Sequence, residues 1–328
     1  MKKISTLVDY QNLCVANITR KAYESIPLII DDPHIMFKLS FKPYYLDFLG
    51  KSDFPIPLTA TPMSGRNIRV SAKGKSETLN FNDVYAAFED NVGEKGKIVS
   101  KPDGGALGMG VEFYELTPEN LRTALRRENN TCRMVQAFVE PPKDFEYMEE
   151  YKSIVVGGSS VGSYALRAPL KFSDNGFMTN MRRGGIPQKM EDRKKSDELA
   201  VLSESVVKSL GPGLNFARID TLPDKDGNLV ILEANGYGQF CWEGFNRIHK
   251  KDPVENLADM VKEKNGGDVS FLYKEMSVIP HNYPFFAAEL KKRGIDSKLL
   301  PFSKFCKKPL GTSHFVQDAS KERIFYHF

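Results

Sequence analysis

The sequence predicts a mixed α/β (α+β) protein, and three features of its pattern lead to that class. Short apolar runs joined by glycine turns, at Gly157-Gly158 and at Asp226-Gly227-Asn228, predict antiparallel hairpins. Amphipathic stretches between the apolar runs predict helices, of which Glu198–Leu210 is an example. Near the C-terminal end, a strand–helix–strand order over Met276–Leu300 predicts a compact βαβ unit.

The elements follow from local signals along the chain. We predict strands at Ile26–Ile30, Lys97–Ser100, Met134–Val139, Ser153–Val156, Ser160–Arg167, Phe216–Leu222, Leu229–Ala234, Met276–Pro280 and Ile295–Leu300. We predict helices at Lys42–Leu49, Asp83–Val92, Leu121–Arg127, Glu198–Leu210, Val254–Lys264 and Tyr283–Lys292. Pro55 and Pro57 end the first helix, Asn82 is the expected cap of the second, and Gly211-Pro212-Gly213 ends the fourth.

Composition excludes several classes of protein. The 328 residues, 41% hydrophobic and 27% charged, are typical of a globular chain of roughly two domains. A run of about 18 apolar residues is absent, which excludes a transmembrane helix, and the start lacks the apolar core of a signal peptide. Four scattered cysteines without a CxxC pair favour a reducing, cytoplasmic location. A net charge of +4 does not indicate a nucleic-acid partner, but it suits an anionic ligand.

A glycine-rich segment follows the predicted strand Lys97–Ser100. It runs from Lys101 to Val111 and contains Gly104, Gly105, Gly108 and Gly110. Such a loop exposes backbone N–H groups that can surround phosphates, and Lys101 can neutralise their charge. The segment lacks the G-K-[ST] ending of a Walker loop, and a flexible hairpin tip is the alternative interpretation.

Three oxygen-bearing side chains lie on the predicted hairpin near its ends. Glu233 and Asn235 are two residues apart and therefore share a face of their strand, and pairing with the preceding strand would bring Asp220 to that face. Hard oxygen ligands suit Mg²⁺. Surface acids on a solvated hairpin are the alternative, although the apolar run Leu229–Leu232 before Glu233 favours the metal interpretation.

A third segment, Thr179–Gly185, carries the adjacent arginines Arg182 and Arg183 and is preceded by Arg167. Arginines in a glycine-closed loop can hold phosphate or carboxylate, although a solvated charge pair is the commoner arrangement. The histidines form no HExxH pattern, and no G-x-S-x-G is present, so we assign no catalytic triad.

Taken in order, these segments resemble the ATP-grasp superfamily, especially its carboxylate–amine ligases such as ribosomal-protein glutamate ligases and glutathione synthetases. The similar segments are Lys42, Lys101 with the glycine-rich loop, Gln136-Ala137-Phe138-Val139, Glu150–Gly158, Asn180 to Gly185, Asp220, and Glu233-Ala234-Asn235. The chain departs from the family at Lys152, where arginine is frequent, and at Gly236-Tyr237-Gly238, where a Pro-Gly turn is common.

The resemblance implies a fold of two α+β lobes with ATP between them. It divides the chain into residues 1–56, a nucleotide-binding and catalytic part at 57–250, and a C-terminal part at 251–328. We expect the C-terminal βαβ unit to pack with residues 1–56 as a small Rossmann-like element; an unrelated appendage is the alternative. The resemblance implies that the phosphates are held by Lys42, Lys101 and the glycine loop. The rest of the nucleotide would be held by Gln136 to Val139 and by Asn180. The metal, Mg²⁺ or alternatively Mn²⁺, would be held by Asp220, Glu233 and Asn235.

The implied reaction joins a carboxylate to an amine through an acyl phosphate, with release of ADP and phosphate. Arg167 and Arg182 are the candidates for holding the acyl phosphate or the acidic substrate, and Arg183 would spread the developing charge together with Mg²⁺ and the lysines. The expected partners are small-molecule or peptide carboxylates and amines, with neither nucleic acid nor membrane, and homo-oligomers are common in the family. The alternative is a kinase of the same fold acting on a small anion such as an inositol phosphate, for which the basic cluster Lys291-Lys292-Arg293 would be suited.

Overall fold

The computed structural model describes residues 6–9, 26–63, 67–102, 110–126, 133–143, 147–169, 181, 185–236, 242–264, 267–273 and 283–301. The strands are β1 Thr6–Asp9, β2 Leu28–Ile30, β3 Thr59–Pro62, β4 Ile68–Ala72, β5 Lys75–Leu79, β6 Lys97–Pro102, β7 Glu112–Glu115, β8 Arg133–Ala137, β9 Tyr147–Val156, β10 Ser159–Pro169, β11 Ile186–Lys189, β12 Phe216–Pro223, β13 Leu229–Gly236, β14 Val269–Tyr273 and β15 Ser297–Pro301. The helices are α1 Pro33–Leu39, α2 Lys42–Lys51, α3 Phe81–Val92, α4 Pro118–Ala124, α5 Arg193–Leu210, α6 Glu243–His249, α7 Pro253–Lys264 and α8 Tyr283–Lys292. The mixed α and β class is confirmed.

An antiparallel sheet of six strands, in the order β5-β4-β3-β8-β6-β7, forms one layer. Helices α3 and α4 cover it, and their buried side chains Val84, Phe88 and Leu121 form a core with the sheet. The cap of α3 is Asn80 and not Asn82, because the Asn80 side chain accepts hydrogen bonds from the N–H groups of Asn82 and Asp83. Strands β3, β4, β5 and β7 were not predicted from the sequence.

A second antiparallel sheet has five strands in the order β11-β10-β9-β12-β13. The predicted hairpins are both present, and Gly157 and Gly227 adopt positive φ angles of 59° and 82° at the turns. Helix α5 packs on one face of the sheet, where Val206 and Val207 join the core. The strands β9, β12 and β13 carry the charged residues of the site on the other face.

The third sheet is parallel and combines strands from distant parts of the chain, in the order β15-β14-β1-β2. Its unit β14–α8–β15 is the βαβ element expected near the C-terminal end. The first strand of that unit is Val269–Tyr273; the segment Met276–Pro280, predicted as that strand, lies outside the described residues.

Helix α2 connects the five-stranded and six-stranded sheets. Its residues Tyr45, Leu46 and Leu49 are buried in a core that includes strands of the five-stranded sheet. At its other end a Cβ on Gly50 would lie 2.8 Å from the Ala72 carbonyl oxygen in the six-stranded sheet. The helix therefore touches both layers. Across the described ranges of the chain, no helix has the length and apolarity that a membrane crossing requires.

Candidate functional site

The β12–β13 hairpin places two acidic residues directly opposite each other. In the register of the two strands, Asp220 pairs with Glu233 and Arg218 pairs with Asn235. Because side chains alternate along a strand, these four share the face that lies away from α5. The intervening Ile219 and Ala234 are buried in the core on the α5 side. The three oxygen-bearing side chains predicted to converge are thus on one face of the hairpin.

The carboxylate of Asp220 is buried between two cations. Arg218 donates to both of its oxygens, from Nε to Oδ1 at 2.7 Å and from Nη2 to Oδ2 at 2.8 Å. Lys152 Nζ, on the adjacent strand β9, donates to Oδ2 at 2.9 Å. Burial raises the pKa of Asp220, but the charges and hydrogen bonds of Arg218 and Lys152 outweigh that effect and lower it. Asp220 is therefore held ionised.

Lys152 also binds a second carboxylate on its own strand. Its Nζ lies 2.8 Å from Glu150 Oε1, two residues away and therefore on the same face. Burial lowers the pKa of Lys152, but the carboxylates of Asp220 and Glu150 raise it above its usual value. The lysine is thus charged and fixed between two acids at a position where the resemblance left its role in doubt.

The first residue of α2 reaches the same face. Lys42 Nζ lies 2.8 Å from Glu233 Oε1, and the lysine side chain is only 14% exposed. The helix begins here because Pro43 occupies its first turn, where a missing N–H costs nothing. The buried face of α2 packs against the core of the five-stranded sheet, and this packing places Lys42 next to Glu233.

Lys101 approaches from the six-stranded sheet, at the end of β6. Its Nζ donates to Gln136 Oε1 at 2.6 Å, and Gln136 Nε2 donates in turn to Thr59 Oγ1 at 3.1 Å. Burial lowers the pKa of Lys101 to about 8, and the charge of Lys42 adds to this, while the carboxylates of Glu233 and Glu150 act in the opposite direction. Lys42 and Lys101, which lie on different elements of the fold, are therefore both within electrostatic reach of Glu233.

The side chains at this face fit a hard divalent cation. Asn235 is buried, and its Nδ2 has no hydrogen-bond partner among the described residues. Rotation of that amide by half a turn would present its oxygen at the same place. With the carboxylates of Asp220 and Glu233 it would give the all-oxygen set that Mg²⁺ prefers. The described residues contain no group of three or more His, Cys, Asp or Glu side chains placed to hold a metal, so this set relies on an amide.

A solved structure is similar to this chain in fold. D-alanine–D-alanine ligase from Bacillus anthracis matches with a TM-score of 0.51 at 18% identity, over 75% of this chain and 73% of that chain. The chain shares the fold of this ligase. The fold predicted from the sequence motifs is therefore confirmed.

Two further solved structures match less closely. The ATP-grasp ligase PsnB complexed with a minimal precursor matches at 16% identity with a TM-score of 0.49, over 72% of this chain. The D-cycloserine synthetase DcsG matches at 15% identity with a TM-score of 0.46, over 63% of this chain. The chain spans 65% of the length of each of these two structures. No protein-family model matches the sequence, and a comparison with curated proteins finds no match.

Other residues singled out by the sequence lie either on another face of the sheet or outside the described residues. Arg167 Nε donates to Glu149 Oε1 at 2.5 Å, directly opposite it in the sheet. Since Glu149 neighbours Glu150 on one strand, this pair lies on the opposite face from Asp220. The structure does not bring Arg167 to the acids. Gly104, Gly105, Gly108, Asn180, Arg182 and Arg183 lie outside the described residues.

The segment expected to contact the nucleotide base ends β8. The backbone N–H of Ala137 donates to Leu58 O at 2.8 Å, and that of Phe138 donates to Lys97 O at 3.0 Å. These two groups are therefore occupied by neighbouring strands. Val139 follows directly after them.

Sequence reasoning missed Arg218, which holds Asp220 with two hydrogen bonds. The signal was present, because Arg218 and Asp220 are two residues apart in a predicted strand and so share a face. To predict that Arg218 lies in the site, one would also have needed the register of β12 with β9, in which Asp220 pairs with Lys152.

Proposed function

We propose that this chain is an ATP-dependent carboxylate–amine ligase that forms an acyl phosphate and releases ADP and phosphate. The observation that carries the proposal is one cluster of oxygen donors and cations. Asp220, Glu233 and Asn235 lie on one face of a hairpin, and four cations from β6, β9, β12 and α2 surround them, namely Lys101, Lys152, Arg218 and Lys42.

The composition of this cluster suits a nucleotide triphosphate with its metal. Asp220, Glu233 and Asn235 would hold Mg²⁺. The ion, when bound, neutralises charge on phosphate oxygens. Lys42 and Lys101 would contact the phosphates from the other side, and both already lie within electrostatic reach of Glu233. The similar structure of D-alanine–D-alanine ligase supports a ligase with this fold.

Arg218 and Lys152 would stabilise the charge that develops during transfer. Both are buried and fixed by Asp220, so they are preorganised donors that need no rearrangement. In the first step an oxygen of the substrate carboxylate forms a bond to the γ-phosphorus, and the bond from that phosphorus to ADP breaks. In the second step the amine nitrogen bonds to the acyl carbon, the carbon–oxygen bond to phosphate breaks, and the nitrogen loses a proton. No side chain of the protein has to act as a nucleophile.

We propose small molecules or peptides as the carboxylate and amine substrates, and homo-oligomers as the assembly. Arg182 stays a candidate for holding the acyl phosphate or the acidic substrate, and Arg183 a candidate for spreading the developing charge. Arg167 is not included in the proposed set, since its ion pair with Glu149 lies on the other face of the sheet.

Analysis of the nucleotide products tests this proposal. The full chain is incubated with MgATP and a pool of acids and amines, and ADP, AMP and phosphate are measured. Glu233→Gln tests the proposed site, and Glu198→Gln, on the exposed surface of α5, is the matched control. We expect ADP and phosphate in equal amounts, dependent on both an acid and an amine, in the wild type and in the control, with a severe loss in Glu233→Gln.

Other products would contradict the proposal in distinct ways. ADP without matching phosphate would favour the kinase interpretation of the same fold, because the phosphoryl group would stay on the product. AMP would overturn the acyl-phosphate route. Normal turnover in Glu233→Gln would refute the proposed role of Glu233.

A further inference from the structure

A row of polar side chains crosses the six-stranded sheet on the face that carries Lys101. Thr59 on β3 pairs in register with Gln136 on β8, and Gln136 pairs on its other side with Val99 on β6. Lys101 is two residues beyond Val99 and therefore points to the same face. Thr59 and Gln136 are only 2% and 1% exposed to solvent. The hydrogen bonds between these two side chains are thus shielded from water.

The hydrogen bonds along this row all run in one direction. Lys101 Nζ donates to Gln136 Oε1 at 2.6 Å, and Gln136 Nε2 donates to Thr59 Oγ1 at 3.1 Å. Thr59 Oγ1 donates in turn to the carbonyl oxygen of Pro57 at 2.8 Å. A carbonyl oxygen can only accept, so the single hydroxyl proton of Thr59 is used by Pro57. Towards Gln136, the Thr59 oxygen can therefore act only as an acceptor.

This order determines which end of the Gln136 amide meets Lys101. The amide nitrogen is a donor and not an acceptor, so it is the end that suits the Thr59 oxygen, and the amide oxygen is left facing Lys101. With the amide rotated by half a turn, Nε2 would face the Lys101 ammonium as donor against donor. Oε1 would then face a hydroxyl whose proton is already used. The Thr59 hydroxyl therefore sets the orientation of the amide.

The acceptor that Lys101 meets is neutral, unlike the acceptor of the other lysine at the site. Lys42 pairs with the carboxylate of Glu233, whereas Lys101 donates to an amide oxygen. A hydrogen bond made by the charged form of a group favours that form. The amide oxygen of Gln136 therefore acts against the burial that lowers the pKa of Lys101. It fixes the ammonium without cancelling its charge.

Three titratable groups on other elements also face Lys101. Glu233 on β13 and Glu150 on β9 raise its pKa, and Lys42 at the start of α2 lowers it. A substitution at Thr59 changes none of these three groups. A change in the titration of Lys101 in such a variant therefore reports the orientation of the amide.

We propose that Thr59 is a positioning residue that acts through Gln136 to hold Lys101 as a charged donor for the phosphates of the nucleotide. The phosphate part rests on the proposed function, whereas the link from Thr59 to Lys101 does not. Loss of the hydroxyl leaves Gln136 Nε2 without its acceptor and allows the amide to rotate. Nε2 can then donate to the neutral amine of Lys101, so the charged form loses its advantage.

The test measures the charge state of Lys101 directly and without nucleotide. The full chain is acetylated briefly with acetic anhydride across the pH range around 8, and modification of Lys101 is read by mass spectrometry, since only the neutral amine reacts. Thr59→Val removes the hydroxyl with little change of shape, and Thr59→Ser keeps it as the matched control. We expect the midpoint to lie about one pH unit lower in Thr59→Val, the typical effect of a hydrogen bond to a charged group. Thr59→Ser should titrate like the wild type.

A double-mutant cycle determines whether Thr59 acts through Gln136. Gln136→Leu removes the amide and should lower the midpoint of Lys101 in the same direction as Thr59→Val. Adding Thr59→Val to Gln136→Leu should produce no further change, because the side chain between Thr59 and Lys101 is gone. A merely structural role of Thr59 would not give this dependence.

Calorimetry with MgATP near pH 8 tests the phosphate part. With the midpoint about one unit lower, the charged fraction of Lys101 at this pH falls from about one half to about one tenth. MgATP should therefore bind roughly fivefold more weakly to Thr59→Val than to the wild type, whereas Thr59→Ser should retain the wild-type affinity.

The other outcomes decide against the proposal in separate ways. A wild-type midpoint in folded Thr59→Val would overturn it, and an equal shift in Thr59→Ser would show that the hydroxyl is not the cause. Additive shifts in the double variant would show that Thr59 does not act through Gln136. If Thr59→Val does not fold, Thr59→Ala takes its place in the same comparison. If the wild type fails to bind MgATP, the proposed function and the phosphate part fail, and acetylation alone decides the link to Lys101.

Discussion

Lys42 Nζ lies 2.8 Å from Glu233 Oε1, which joins the start of α2 to the β12–β13 hairpin. The lysine therefore already pairs with a carboxylate that a bound cation would also use. Glu233 is 30% exposed, so solvent and ions reach the pair. A metal and this lysine compete for one carboxylate, whereas a phosphate would attract both.

This competition gives Lys42→Met two effects of opposite sign. Binding of Mn²⁺ alone, followed by calorimetry, should tighten because a competing charge is gone. MgATP affinity should fall by roughly tenfold because a phosphate contact is lost, at about 1.4 kcal/mol per factor of ten. Lys38→Met, on the exposed side of the preceding helix, is the control and should change neither. Parallel losses for metal and nucleotide would contradict the competition.

Lys101 predicts a decline of nucleotide affinity in mild alkali. Burial lowers its pKa to about 8, so the free protein carries the charge below that pH and loses it above. The apparent second-order rate constant, kcat/KM for MgATP, should be level below pH 8 and fall above it, since this parameter reports the free enzyme. Lys101→Arg should move the decline to higher pH because arginine stays charged. An unmoved decline would assign it to another group.

The same residue affects stability with a defined sign. The folded pKa of about 8 lies below the unfolded value near 10.4. Between these two pH values the unfolded chain binds more protons, so the contribution of Lys101 to the free energy of unfolding rises with pH. Thermal unfolding of wild type and Lys101→Met from pH 7 to 10 measures the difference in stability between the two proteins. This difference should narrow as pH rises. A difference independent of pH would show that Lys101 is charged throughout the range.

Arg218 is expected to stabilise the fold through Asp220. Arg218→Gln leaves a buried carboxylate with Lys152 as its remaining cation, and removal of one partner of a buried pair costs about 3 kcal/mol. In the wild type the depressed pKa of Asp220 stabilises the fold above the unfolded value near 3.9, and this contribution is lost as pH falls through the lower folded value. Urea unfolding at pH 3 to 7 should therefore show a smaller loss of the free energy of unfolding on acidification in Arg218→Gln than in the wild type, because Arg218 is the largest cause of the depressed pKa of Asp220.

A double variant separates charge from packing at this pair. Arg218→Gln with Asp220→Asn removes the uncompensated carboxylate and should recover part of the lost free energy of unfolding. If the double variant is as unstable as the sum of the single ones, packing of the arginine stem is the cause and the charge argument fails.

Asp47 attaches α2 to the six-stranded sheet. Its Oδ1 accepts hydrogen bonds from Ser71 Oγ at 2.6 Å and from Ser76 Oγ, and its Oδ2 accepts from Lys51. Asp47→Ala should lower the free energy of unfolding by about 1 to 3 kcal/mol, because two hydroxyls lose their acceptor. Lys51→Ala removes only the half-exposed ion pair and should cost below about 0.5 kcal/mol. Equal losses in the two variants would show that the hydroxyl contacts contribute nothing.

Local signals predicted much of the five-stranded sheet. Gly227 and its neighbours indicated the β12–β13 hairpin, and the two-residue spacing of Glu233 and Asn235 indicated their shared face. The same local signals could not show that Arg218 lies in the site and that Arg167 does not. Each is an arginine in a strand, and only the cross-strand partners, Asp220 for one and Glu149 for the other, separate a buried site residue from one on the opposite face.

Other elements carried weak or misleading signals. Strand β5, Lys75–Leu79, is mostly polar, so alternation of apolar residues does not reveal it. Strand β4 was missed although Ile68 and Val70 are buried and alternate with polar residues. Strand β14 was missed although Phe271 is fully buried, because the first strand of the strand–helix–strand pattern was predicted at Met276–Pro280 instead. The roles assigned to Arg182, Arg183 and Asn180 stay predictions.

The parallel sheet sets an order of events during synthesis. Thr6 pairs with Val269, so β1 leaves the ribosome long before the strand that flanks it on one side. Until β14 is made, only β2 can pair with β1 and the other edge stays open, while the two antiparallel sheets have all their strands available. Formation of contacts so distant in sequence is intrinsically slow. The parallel sheet is therefore expected to assemble last, and a nascent chain that stalls before residue 269 would expose an unpaired strand edge to other proteins.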